Sequence, residues 1–180
     1  MSQKAFFLDR DGVVIRQISY LHDPALVELE KNVPQAIRLI HEKGMLAVVL
    51  TNQSGVARGM FTEKDVTLCH ERLQELLAAH GEKIDGFYTC CHHPDFTGPC
   101  SCRKPEPGLF LAAAGDLDID ISASFMVGDK FSDLESGRNA GTKQSILLRT
   151  GYGPKYTERA AEAGFDVCSD LLEAVEKHTK

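Results

Sequence analysis

The residues from Met45 to Leu50 form an unbroken β-rich apolar run, the pattern of a strand buried on both faces. A sheet of such strands needs cover above and below, and the rest of the chain supplies it. Lys4 to Leu8 reads as an earlier strand, and between the two Asn32 stands as a helix cap, with Pro34 in the first turn and Gly44 as the stop. Thr62 and Asp65 are spaced as a capping box for a helix with Val66, Cys69, Leu73, Leu76 and Leu77 on one face and Gly81 after it. A strand from Ile84 to Thr89, a short helix from Pro107 to Gly115 and a strand from Ala123 to Val127, ending at Gly128-Asp129, are expected next. Ser132 and Glu135 make another capping-box pair, with Gly141 closing that helix. A strand at Gln144 to Leu148, a helix from Lys155 to Ala163, a short strand at Phe165 to Cys168 and a helix begun by Ser169 or Asp170 complete the chain. Alternation throughout predicts an α/β fold with a doubly wound parallel sheet, in one domain over residues 1–180.

Composition narrows the partners. The chain carries a formal charge of −6 and no basic run that could follow a nucleic-acid backbone or an anionic membrane. No apolar stretch approaches the ~20 residues that span a bilayer. The N-terminus lacks the long apolar core of a signal peptide, so a cytoplasmic location is expected. A monomer with no nucleic-acid or membrane partner is the further expectation.

In such a sheet ligands bind beyond the carboxyl ends of the strands. Those ends carry Asp9 and Asp11, then Thr51 and Asn52, then Asp129 and Asp133. Acids gathered on one rim repel unless a cation joins them, and hard oxygen ligands suit Mg²⁺. A magnesium-dependent reaction of an anion is the expectation.

The run Asp9-Arg10-Asp11-Gly12-Val13-Val14 resembles the DxDGT/V signature of the haloacid dehalogenase superfamily. The superfamily's further motifs follow in order: Thr51-Asn52, Lys104, and Gly128-Asp129-Lys130 with Asp133. The resemblance implies a Rossmann-like fold and a phosphatase in which Asp9 is the nucleophile, forming an aspartyl-phosphate, and Asp11 the general acid and base. It also implies Mg²⁺ on the Asp9 carboxylate, the Asp11 carbonyl and the Asp129 carboxylate, with Asp133 supporting the metal's ligands from outside. Thr51, the Asn52 amide and Lys104 would then cradle the transferring phosphoryl oxygens.

Cys90, His92, Cys100 and Cys102 form a C-x-H…C-x-C set that fits a closed, structural Zn²⁺ site stabilising a loop at 90–104. Cys91 and His93 stand beside two of these ligands as possible substitutes. Cys69 and Cys168 read as core residues, and His22, His41, His70, His80 and His178 as solvated surface. With Cys-Arg-Lys-Pro after the loop and Thr-Asn-Gln-Ser-Gly in the second motif, the chain looks like the heptose 1,7-bisphosphate phosphatases and the related histidinol-phosphate phosphatases. It differs from the commonest heptose pattern in having Cys91 where proline is usual and a short loop before Cys100. For the heptose enzymes the resemblance implies removal of the C7 phosphate from a phosphorylated sugar, in the formation of ADP- or GDP-heptose.

Gln53 and Arg58, with Arg103 and Lys130, are then candidate substrate contacts, the three cations suited to a second phosphate. Arg58 and Lys130 also admit a plainer reading, as balance for local acids or as helix caps. Only a short non-helical stretch separates Asp11 from the first helix, so no large cap domain is expected over the cleft.

Overall fold

A computed structural model describes residues 2–180; Met1, where the expected domain span begins, lies outside them. Strands β1 (Lys4–Leu8), β2 (Met45–Asn52), β3 (Gly86–Cys90), β4 (Phe125–Gly128), β5 (Gln144–Leu148) and β6 (Asp166–Cys168) form one sheet. Their order is β3-β2-β1-β4-β5-β6, and every pairing is parallel. The chain winds outwards from β1 to β3, returns to β4 beside β1, and winds outwards the other way. The connections therefore diverge between β1 and β4 and open a crevice at the carboxyl ends of those strands. Asp9 directly follows β1 and Asp129 directly follows β4.

Alternation along β1 sets the layers. Phe6 and Leu8 pack with α1 (Val33–Glu42), α3 (Glu63–Ala78) and α8 (Leu171–His178) on one face; Ala5 and Phe7 pack with α5 (Gly108–Leu117) on the other. The second face is extended by α6 (Phe131–Ala140) and α7 (Thr157–Glu162), which close over Leu147 of β5. Phe6 stacks on Phe125 at 4.8 Å and Phe7 meets the edge of Phe110 at 4.9 Å, all four rings buried. Each such ring contributes about 1.5–3 kcal/mol by leaving water. The sheet is thus fixed from both sides, and its rim inherits that rigidity.

Several local expectations change. Asn32 precedes α1 as placed, but at φ 63° its side chain makes no cap and its amide donates to Asp170 at 2.8 Å. The box at the start of α6 is made by Asp133, whose carboxylate accepts from the Lys130 N–H at 3.0 Å, and not by Ser132 and Glu135. The helix begins at Phe131, too early for Ser132 to cap it. α5 runs past Gly115 to Leu117 and ends on Asp118 in the left-handed region. Asp170 begins α8, accepting from the Glu173 N–H. Of the histidines read as solvated surface, His41 lies between Glu82 and Asp85, His70 stacks on Phe87 at 4.4 Å, and His178 is 3.1 Å from Asp166.

Between β1 and α1 the chain forms a 3₁₀ turn at Pro24–Leu26 and isolated bridges, with no inserted domain over the crevice. Among the described residues no helix is long and apolar enough to cross a membrane.

Candidate active site

Three carboxylates meet where the strand order reverses. Single oxygens of Asp9, Asp129 and Asp133 all lie within 4.8 Å of one another, and all three residues are buried. Lys104 bridges two of them: its Nζ donates to Asp9 Oδ1 at 2.9 Å, approaches Asp133 Oδ1 at 2.8 Å, and donates to the Leu50 carbonyl at 2.7 Å. Burial works against the Lys104 charge, but Asp133 and Asp9 outweigh it and hold the amine firmly as an ammonium. Burial likewise works to raise the Asp9 carboxyl, yet the charges of Lys104 and Lys130 bring it below the ordinary aspartate range. Asp9 is therefore an ionised carboxylate.

Asp129 is the opposite case. Burial first, and the charge of Asp9 second, push its carboxyl up to about 7. Its Oδ2 accepts from the Tyr152 N–H at 2.8 Å, while its buried Oδ1 has no hydrogen-bond partner among the described residues and lies 4.0 Å from Lys130 Nζ. A buried, unpartnered carboxylate oxygen beside two further carboxylates fits a hard divalent cation. Asp9 and Asp129 are placed to hold it, and Asp133 is tied back by Lys104 and the Lys130 N–H. Gly12 and Gly151, both at positive φ, leave the space that Asp129 fills; a Cβ on either would collide with its Oδ2.

Asp11 stands outside this trio. Arg10 grips its carboxylate with two hydrogen bonds, Nε to Oδ2 at 3.0 Å and Nη2 to Oδ1 at 3.1 Å. Gln53 Nε2 donates to Asp11 Oδ2 at 3.0 Å and to Thr51 Oγ1 at 2.8 Å. Gln53, just before the short helix α2 (Ser54–Ala57), thus fastens Asp11 to β2. Asn52 also ties two segments together: its side-chain amide donates to the Lys104 carbonyl and accepts from the Lys104 N–H, both at 3.1 Å. Asn52 thus clamps the Lys104 backbone, and the second N–H of its amide is left over at the edge of the cleft.

A cleft of about 260 Å³ opens beside Asp11 and is walled by Asn52, Gln53, Lys130, Tyr152 and the loop 17–21. Lys130 lies over the Tyr152 ring at 5.1 Å. Arg58 and Arg103 do not line this cleft. Arg58 Nη2 donates to His93 Nε2 at 3.1 Å and its guanidinium covers Phe96 at 4.8 Å, so it braces the short helix α4 (Pro94–Thr97). Arg103 Nη1 donates to the His92 carbonyl at 3.2 Å, tying the loop across itself.

That loop carries the second cluster. Asn52 and Cys90 are register partners on β2 and β3, so the cluster is built against the rim. Tetrahedral zinc with ~2.3 Å bonds to sulfur separates its sulfurs by about 3.8 Å. Cys90 and Cys100 are 3.8 Å apart and Cys100 and Cys102 3.6 Å, while Cys90 and Cys102 are closer, at 2.6 Å, and would part to admit the ion; His92 Nδ1 lies 3.8 Å from Cys90 and 3.3 Å from Cys102. All six cysteines are free thiols. The donor set and spacing could hold Zn²⁺. Cys91 and His93 lie outside the cluster, His93 being engaged by Arg58 and the Asp95 N–H.

Reading the sequence alone overlooks Arg10, Tyr152 and the loop 17–21. Tyr152 lies just beyond the carboxyl end of β5, a position the rule that located Asp9 and Asp129 would have reached. Arg10 reads there only as the spacer of an Asp-x-Asp pair.

Comparisons with known proteins agree with this geometry. A HAD-hydrolase-like family model matches residues 101–174. The D-glycero-beta-D-manno-heptose-1,7-bisphosphate 7-phosphatase of Yersinia pestis is 40% identical, over 99% of this chain and 98% of its own. The enzyme of the same name from Escherichia coli K12 is 39% identical, over 99% and 97%. Among solved structures, the D,D-heptose 1,7-bisphosphate phosphatase of B. bronchiseptica, complexed with magnesium and phosphate, aligns with a TM-score of 0.88 at 33% identity, covering 97% of each chain.

Proposed function

The chain belongs to the heptose bisphosphate phosphatase family of HAD-like hydrolases, and on that premise we propose that it hydrolyses the 7-phosphate of D-glycero-β-D-manno-heptose 1,7-bisphosphate. Asp9 is the nucleophile. Lys104 holds one of its oxygens, fixing the carboxylate for attack on phosphorus by the other. The bond from phosphorus to the C7 oxygen breaks, and Asp11 delivers a proton to the departing alkoxide. Asp11 then takes a proton from water, which attacks the aspartyl-phosphate and returns Asp9 to its carboxylate. Lys104 meets the negative charge spread over the transferring group.

The metal would be held by the Asp9 and Asp129 carboxylates and the Asp11 carbonyl, with Asp133 supporting from outside. Magnesium there neutralises charge, so that an anionic phosphate can approach an anionic nucleophile. Zinc would be held by Cys90, His92, Cys100 and Cys102, and would fix the loop that delivers Lys104.

The observation that carries the substrate reading is the charge of the cleft. Its one acid, Asp11, is already paired with Arg10, and its one cation, Lys130, faces the open space. Such a cleft suits a second anionic group and offers the ammonium of histidinol phosphate only a carboxylate that Arg10 already neutralises. Lys130 is therefore the cation assigned to the second phosphate; Arg103, with one N–H engaged in the loop, lies outside the cleft. Arg58 is assigned to bracing α4.

The test is phosphate release from each heptose 1,7-bisphosphate anomer and from histidinol phosphate, with and without Mg²⁺. The β-bisphosphate is expected to give the highest kcat/KM, and only with metal. A higher kcat/KM for histidinol phosphate would overturn the substrate assignment.

A further inference from the structure

Arg10 has the largest fully buried side chain among the described residues, with 1% of it exposed. A guanidinium keeps its charge at any ordinary pH, so burying one is unfavourable unless it is paired. Its one salt-bridge partner is Asp11, engaged through Nε and Nη2, and its Nη1 has no partner among the described residues. The neighbouring His70 adds no second positive charge: burial first, and Arg10 itself second, push its imidazole down to about 3. The Arg10 main chain is also anchored, its carbonyl accepting from the N–H groups of Val13, Val14 and Ile15. The side chain therefore reaches Asp11 from a fixed origin.

The pattern of bonds on Asp11 is unequal. Oδ2 accepts from both Arg10 Nε and Gln53 Nε2, while Oδ1 accepts from Arg10 Nη2 alone. A carboxylate oxygen has room for two donors, so Oδ1 keeps a free acceptor position. The Asp11 side chain is 13% exposed and borders the cleft.

Resting on the reading of Asp11 as general acid and base, we infer that Arg10 is the positioning residue for proton transfer: it locks the Asp11 carboxylate so that Oδ1 carries the proton to the leaving oxygen. The bidentate fork sets the plane of the carboxylate, and Gln53 removes Oδ2 from competition. Lysine at this position would keep the charge and lose the plane.

A positioning role for Arg10 makes its loss depend on the leaving group, which a purely supporting role does not. A sugar alkoxide needs a proton to depart, and a p-nitrophenolate does not. The kcat/KM for each substrate reports the first irreversible step, in which the leaving group departs. Arg10→Gln is expected to lower kcat/KM for the heptose bisphosphate by about 100-fold or more, the scale of general acid catalysis, and for p-nitrophenyl phosphate by only a few-fold. Arg10→Lys should fall between. In an Asp11→Asn background, Arg10→Gln should add little further loss on the bisphosphate, because both changes remove the same proton transfer.

Equal losses on the two substrates, or losses that multiply in the double variant, would overturn the inference. Where Arg10→Gln fails to fold, Arg10→Lys carries the same two comparisons. A wild-type enzyme that releases no phosphate from the bisphosphate would overturn the functional reading, and this inference with it. An active wild type with uniform losses in the Arg10 variants contradicts the inference alone.

Discussion

At the scale of single residues the site is organised by charges that the fold brings into close contact. Asp129 shows the consequence most directly. An isolated aspartate titrates near ~3.9, whereas in the metal-free fold this one is pushed up to about 7 by burial and by Asp9. Between those values the native state binds a proton that the unfolded chain does not, so this group's favourable contribution to stability is present at low pH and lost as pH rises through about 7. Magnesium requires the deprotonated carboxylate. Its affinity is therefore expected to be level above pH ~7 and to weaken roughly tenfold per unit below it, as calorimetric titration on either side of that value would show. An affinity unchanged across the window would contradict either the raised proton affinity of Asp129 or its place among the ligands. The acids themselves were legible in the sequence, because Asp-x-Asp after a strand is a local pattern. The engagement of Asn52 by Lys104 and of Arg58 by His93 was not, since each joins residues tens of positions apart. Arg10 was hidden by a sound rule, that charged side chains seek water.

At the scale of elements, two loops turn the strand ends into a site. Gly12, in the turn after β1, and Gly151, beyond β5, both leave space for the Asp129 carboxylate. Gly151→Ala forces a Cβ into that space at positive φ, and is expected to cost about 1 kcal/mol or more in stability as well as displacing the metal ligand. Thermal unfolding together with magnesium titration would register both losses, and a variant with unchanged metal affinity would contradict the packing argument. The loop from Cys90 to Lys104 is held at three points: the thiol and imidazole cluster, the Arg103 tie to His92, and the Asn52 clamp. Cys100→Ala or Cys102→Ala is expected to abolish bound zinc and to raise KM more than it lowers kcat, because the clamp and the Asp9 contact still hold Lys104. Metal analysis with steady-state kinetics tests this; a zinc-free variant with wild-type KM would contradict it. The cluster was readable from its spacing alone. The cap of α6 was not, because Lys130 is not a capping residue type and the box is closed by its backbone N–H.

At the scale of the whole molecule, the order β3-β2-β1-β4-β5-β6 is what brings residues from opposite halves of the chain together. The alternation of strand and helix announced a doubly wound sheet, and the periodicity of each helix its buried face. The order of the strands depends instead on which apolar faces close best in three dimensions. That order puts β1 beside β4, and so places the carboxylates of Asp9, Asp129 and Asp133 within 4.8 Å of one another. The account's central claim is that this convergence makes Asp9 the group that receives the phosphoryl. Acid quenching during turnover of the heptose bisphosphate with Mg²⁺, followed by mass spectrometry of the digested protein, tests it most directly. The account predicts one phosphoryl group on the peptide containing Asp9, absent from Asp9→Asn, which should also fail to turn over. A phosphoryl group on another residue, or wild-type turnover by Asp9→Asn, would contradict it.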